Sequence, residues 1–354
     1  MTTTATTGDD GTRPPALPTP PALPTRTLGR SGVPVTALGF GGAAVAGLFE
    51  DVGEEAAAAT VEAAWEAGIR YFDTAPHYGL GLSERRVGAA LRTRPRDAFT
   101  LSTKVGRVLE PYAGGGDDRA DGFAVPATHR RRWDFSADGV RRSLEDSLTR
   151  LGLDHVDVVL LHDPDAHEEQ AFKEAYPALE ELRAQGVVRA IGAGMNQARM
   201  LARFVADTDV DAVLCAGRYT LLDQGASDAL LPAAAAAGKS VIIGGVFNSG
   251  LLAAPTPDAT YDYAAAPEEL VRRALRMREV TEAHGVPLRA AALRFPFGHP
   301  AVASVLVGAR SPGEVHDAAR QFHRSLPETV WEGLRSQGLL PAGVPVPVPE
   351  GRST

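Results

Sequence analysis

Short apolar runs recur along the chain, separated by stretches with helical spacing. Eight runs stand out: Thr36–Gly41, Ile69–Asp73, Phe99–Lys104, Val156–His162, Val188–Gly192, Ala212–Cys215, Ser240–Gly244 and Ser304–Val307. Runs this continuous suit strands covered on both faces, as in parallel sheets. Between them, Val61, Ala64, Trp65 and Gly68 share one helical face. Val140, Leu144, Leu148 and Leu151 share another, stopped by Gly152. Pro267 opens a further helix that ends before Gly285. Eight strand–helix alternations predict an α/β fold, a (β/α)8 TIM barrel. A doubly wound open sheet is the alternative. Thr27–Val35 reads as a small hairpin turning at Ser31-Gly32, placed to plug the barrel's N-terminal end. The connections after Lys104 and after Gly244 are long, and such loops lie on a barrel's C-terminal face, where active sites sit.

Composition sets the limits. Residues 1–25 are Thr- and Pro-rich and predict a disordered tail; 26–340 form the barrel; 341–354 form a flexible Pro-rich tail. The 354 residues carry a formal net charge of −8, which disfavours nucleic acid as a partner. The single cysteine, Cys215, excludes an internal disulfide and a cysteine-based metal cluster, and no metal is expected. Neither a signal-peptide pattern nor an apolar span of about 20 residues is present, so a cytoplasmic protein away from membranes is expected. Only Lys104, Lys173 and Lys239 are lysines among many arginines. A GC-rich genome is the plain reading of this bias; the alternative is that a lysine kept in such a background serves where an ammonium is needed rather than a guanidinium.

Three ionisable residues end strands: Asp73, Lys104 and His162. In a closed barrel all three project from one rim, and Tyr78 follows Asp73 by five residues in a loop able to fold over that rim. Taken singly, each has a plain reading as a helix cap, surface group, turn residue or packing residue; the joint placement points to chemistry. A phenol has an ordinary pKa of about 10, and a neighbouring ammonium favours its ionised form. Asp73 would hold Lys104 charged, and His162 would orient a substrate oxygen. That set suits proton transfer at a carbonyl/hydroxyl pair, and a separate hydride carrier is implied. A lysine Schiff-base lyase on the same barrel is the competing chemistry.

The segments Gly68–Tyr78, Ser83-Glu84, Leu101–Lys104 and Leu148–Asp157 resemble the aldo/keto reductase family over about residues 26–325. The resemblance implies the same barrel and a catalytic tetrad of Asp73, Tyr78, Lys104 and His162, with Tyr78 as general acid/base. Leu161–Asp165, Ile191–Asn196 and Gly217–Asp223 are similar to the branch holding D-threo-aldose 1-dehydrogenases and L-fucose dehydrogenases. That branch oxidises C1 of an aldose to the lactone, and the same residues serve reduction of an aldehyde or ketone. The resemblance also implies that Asn196 holds the nicotinamide carboxamide and Tyr219 stacks on its ring. Phe247, Asn248 and Ser249 would cross the pyrophosphate. Gly308, Arg310 and Ser311 would bind the adenosine end. Glu314 stands where the family's second cation would be, which favours NAD over NADP; a solvent-facing Glu314 is the bland alternative. Trp133 and Phe135 in the third loop would line a sugar-binding wall or else pack the loop. Some family members serve instead as cofactor-sensing subunits.

Overall fold

Alternate residues of each apolar run face opposite sides of a strand, and in the computed structural model, which describes residues 22–262 and 264–348, both sides are covered. Eight parallel strands close into a barrel: β1 (Leu38–Gly41), β2 (Tyr71–Asp73), β3 (Thr100–Val105), β4 (Val158–His162), β5 (Ala190–Met195), β6 (Ala212–Ala216), β7 (Ser240–Gly244) and β8 (Val302–Gly308). Each pairs with its sequence neighbour, and β8 closes on β1. The open-sheet alternative is thereby excluded.

The barrel interior is filled by Tyr71, Val158, Leu160, Ala190, Ala212, Leu214, Ile242 and Leu306. The intervening residues, such as Phe72, Val159, Leu161, Val213 and Val241, pack outward under the helices. This alternation explains the continuous apolar runs, and it also sets the site. Tyr71 and Asp73, Ser102 and Lys104, and Leu160 and His162 are pairs two residues apart, so the ionisable member of each is the next inward position toward the barrel mouth.

Below, Thr25–Thr27 pairs with Pro34–Thr36, and Leu28 and Val33 between them are buried in the interior cluster. The hairpin therefore plugs the N-terminal end. The helices follow the expected signals. Ser136 caps Ala137–Leu151 by accepting from the Gly139 amide, and Gly152 ends it at φ 65°. Pro267 caps Glu268–Ala283. Of the two expected tails, residues 1–21 and 349–354 lie outside the described residues. Inside them, Leu23 and Val344 are buried against the barrel, so packed chain begins before residue 26 and continues past 340. No helix among the described residues is long and apolar enough to cross a membrane.

The third βα connection folds as two antiparallel hairpins, Arg107–Pro111 with His129–Trp133 and Asp117–Asp118 with Phe123–Pro126. The inner hairpin meets the loop after β1: Leu48 bridges to Phe123, and the Phe49 amide donates to the Gly122 carbonyl at 2.8 Å. Together these loops roof one side of the barrel mouth.

Candidate active site

Asp73, Lys104 and His162 are almost wholly buried at the mouth. Lys104 Nζ donates to Asp73 Oδ2 at 2.6 Å and to the Thr74 carbonyl at 3.0 Å. Ser102 Oγ donates to the other carboxylate oxygen at 2.7 Å. Burial penalises the ammonium, but Asp73 and Tyr78 outweigh it and raise the Lys104 pKa above the ordinary lysine value. Nζ stands 4.6 Å from the Tyr78 ring centre and is hydrogen-bonded to the tyrosine. A Schiff-base lysine needs a neutral amine, so this arrangement opposes the lyase chemistry.

The Tyr78 loop is braced from below. Thr74 Oγ1 donates to Ser83 Oγ at 2.7 Å, and Ser83 Oγ donates to the Gly42 carbonyl at 2.8 Å. Glu84 is fully buried and accepts from Thr103 Oγ1 at 2.8 Å and Arg150 Nε at 2.5 Å. The Ser83-Glu84 motif thus ties the helix after Tyr78 to β3 and to the helix Ala137–Leu151.

His162 stands edge-on to Tyr78, with ring centres 5.6 Å apart. Burial, then the charges of Arg107 and Lys104, hold it neutral well below the ordinary histidine range. Its Nδ1 is buried without a hydrogen-bond partner among the described residues, on a ring that lines a cavity of about 550 Å³. A neutral imidazole in the wall of such a cavity is suited to hydrogen-bond a substrate oxygen. Asp163 follows in the left-handed region at φ 44°, a conformation an Asp tolerates better than most residues. That turn brings its carboxylate to Arg107, which pairs with it.

A second cavity, about 750 Å³, shares Ala43, Leu48, Phe49, Tyr78, Leu214 and Ala216 with the first. It runs over Gly41, Ala216, Gly244 and Gly308, the strand ends of β1, β6, β7 and β8, to Arg310, Ser311 and Glu314. Charged side chains therefore crown β2 to β4, while small residues leave a trough over the opposite strands. The trough ends at the N-terminus of helix Pro312–Phe322, capped by Ser311, where backbone amides favour an anion. Its shape and its end fit a dinucleotide, with Tyr78 at the junction of the two spaces.

The sequence pattern of the Aldo/keto reductase family matches residues 37–337. The chain belongs to the aldo/keto reductase family. It is 45% identical to a D-threo-aldose 1-dehydrogenase from Pseudomonas sp., covering 88% of this chain and 96% of that protein. It is 40% identical to a pyridoxal 4-dehydrogenase from Microbacterium luteolum, covering 89% and 97%. In structure it resembles an aldo-keto reductase from Bacillus halodurans in its holo form, with a TM-score of 0.72 and 28% identity over 91% and 98% of the two chains. Aldo/keto reductases use NAD(P)H, and this one is an oxidoreductase.

In this aldo/keto reductase, the other expected site residues divide. Asn196 lines the smaller cavity; Phe247, Ser249, Gly308, Arg310, Ser311 and Glu314 line the trough. Tyr219 lines neither. It is fully buried against Phe295, ring centres 5.1 Å apart, because the chain turns outward after Ala216 and leaves Leu214 and Ala216 facing the cavities. The expected stacking role is thus corrected. Asn248 is also turned away: at φ 47° its Nδ2 donates to the Gly217 carbonyl at 3.2 Å, bracing the loop from behind.

Neither Trp133 nor Phe135 walls the cavity. Trp133 lies on the outer hairpin under the Arg107 guanidinium, 4.3 Å away, and Phe135 is fully buried beneath Gly106. The wall comes from the inner hairpin, with Arg119, Asp121, Gly122 and Phe123, and from His77, Arg107 and Asp163. Positive φ at Gly122, just before an apolar alternation at Phe123 and Val125, is the signal that marks this turn. Phe135→Ala is expected to cost about 3–5 kcal/mol in denaturant unfolding, as an emptied core site does. Trp133→Ala is expected to leave the substrate KM unchanged; a large rise in KM would restore it to the wall.

Proposed function

We propose that this aldo/keto reductase oxidises C1 of a free aldose of the L-fucose or D-arabinose type to the lactone, with NAD as cofactor. The observation that carries the reading is the Asp73–Lys104–Tyr78–His162 cluster at the junction of a polar cavity and a dinucleotide-sized trough. The 45% identity to a D-threo-aldose 1-dehydrogenase supports the substrate class.

A dinucleotide held along the trough by Phe247, Ser249, Arg310 and Ser311 would supply a nicotinamide as hydride acceptor. Tyr78 Oη, ionised beside the Lys104 ammonium, takes the C1 hydroxyl proton as the C–H bond breaks and the carbonyl forms. Asp73 keeps Lys104 charged and aimed. Neutral His162, whose ring lines the cavity, orients the reacting oxygen. Phe49, Leu48 and Phe123 at the cavity edge exclude water. In the reverse direction the same phenol donates the proton.

The NAD preference rests on Glu314. It accepts from the Arg310 amide at 2.9 Å and from the Arg310 guanidinium at 3.1 Å, and Glu50 holds the same guanidinium at 2.8 Å. Two carboxylates around the cation repel a 2′-phosphate, while a carboxylate there can accept from ribose hydroxyls. Glu314→Arg is expected to raise the NADP/NAD ratio of kcat/KM at least about tenfold, a gain of 1.4 kcal/mol. An unchanged ratio would remove Glu314 from cofactor choice. The function itself is tested by incubation with NAD+ and aldoses, which should give NADH and aldonolactone in equal amounts. Reduction of aldehydes with no aldose oxidation would overturn it.

A further inference from the structure

The mechanism uses His162 and leaves a second histidine in the same cavity without a task. His77 immediately precedes Tyr78, and its ring centre lies 6.0 Å from that of Tyr78 and 5.5 Å from that of His162. Phe123 packs edge-on against it at 5.3 Å. Its Nδ1 accepts from Arg131 Nε at 2.5 Å, and Arg131 Nη2 donates to the His77 carbonyl at 2.9 Å. Arginine does not give up its protons in proteins, so Nδ1 must present a lone pair. The hydrogen of the neutral ring then sits on Nε2, the opposite nitrogen.

Arg131 is itself fixed. It donates to both oxygens of buried Asp118 at 2.6 Å each, and to Asp121 at 2.9 Å. Burial, followed by the charges of Arg107, Arg131 and Lys104, pushes the His77 pKa down to about 2, so the ring stays neutral at working pH.

The charges around the cavity are paired: Lys104 with Asp73, Arg107 with Asp163, Arg131 with Asp118 and Arg119 with Asp117. The wall therefore offers donors and acceptors with little unpaired charge. That fits hydroxyl groups better than a phosphate or carboxylate.

We propose that His77 is a substrate-binding residue whose Nε2–H donates to a second hydroxyl of a neutral polyol, beside the reacting C1 oxygen, and that Arg131 is the positioning residue that fixes this tautomer. The ring separations let Tyr78 and His162 share the C1 oxygen while His77 reaches a second oxygen of the same small sugar. The proposal rests on the aldose reading of the site and specifies how that substrate is held.

The test crosses substrate and protein. Wild type and His77→Phe are compared on an aldose and its monodeoxy analogues. For the full aldose, His77→Phe is expected to lower kcat/KM about tenfold to a hundredfold, chiefly through KM, as loss of a buried hydrogen bond does. For the one analogue lacking the bonded hydroxyl, wild type and variant should converge. His77→Gln, which keeps an N–H donor, should recover part of the loss. In 15N imidazole spectra of the wild type, His77 should carry hydrogen on Nε2 alone between about pH 5 and 8. Arg131→Gln should give a mixture of tautomers and a raised KM. An equal loss on every monodeoxy analogue, or hydrogen on Nδ1, overturns the proposal. A wild type that oxidises no aldose refutes the substrate class, and the spectrum then decides the tautomer separately.

Discussion

Tyr78→Phe is expected to lower kcat for the proposed aldose oxidation by about 10²- to 10⁴-fold and to leave the dissociation constant for the cofactor unchanged. The substitution deletes one oxygen, Oη, and keeps the ring that packs at 6.2 Å from Phe123 and lies under Lys104 Nζ. Only the proton acceptor is lost, and positioned acid/base groups contribute rate factors of this size. The trough does not depend on Oη for its shape, so cofactor binding, followed by fluorescence titration, should persist. A variant that retains full turnover would remove Tyr78 from the proton path.

Lys104→Met is expected to act on both stability and rate. It strands the Asp73 carboxylate in the core, where Ser102 Oγ is its remaining side-chain donor among the described contacts. Removing one partner of a buried pair costs about 3–5 kcal/mol, because the other charge stays buried and uncompensated. Asp73→Asn combined with Lys104→Met should regain most of that stability in denaturant unfolding while staying inactive. A double variant no more stable than the single one would show that the pair does not couple. The pH dependence has a definite sign. The ammonium favours ionised Tyr78, so without it the rise of log kcat with pH should move to higher pH. His162 and His77 are held neutral far below the ordinary histidine range, so neither should add a protonation limb between about pH 5 and 8.

Much of this architecture is legible in the chain. Strands covered on both faces read as unbroken apolar runs, and an ionisable residue closing such a run has to emerge at the barrel mouth. Asp73, Lys104 and His162 declare themselves this way. The loops do not. Arg131 meets His77 across 54 residues and Asp118 across 13, a contact set by hairpin pairing rather than by local spacing. Trp133 and Phe135 look like a substrate wall because they are aromatic, but Trp133 ends the outer hairpin with its ring exposed beneath Arg107, and Phe135, beyond the strand, is buried against Gly106. Tyr219 and Asn248 fail for a similar reason: a backbone turn directs each side chain away from the trough. Glu314 stands four residues after Arg310 at the helix start that Ser311 caps, and the structure pairs the two.

The central claim is that hydride leaves C1 of an aldose while Tyr78 takes the hydroxyl proton. Incubating the enzyme with NAD+ and L-fucose or D-arabinose deuterated at C1, and reading the reduced nicotinamide by NMR, tests it most directly. The account predicts one deuterium transferred to the nicotinamide ring per lactone formed, with transfer lost in Tyr78→Phe. Reduced cofactor without label, or transfer undiminished in the variant, would contradict it.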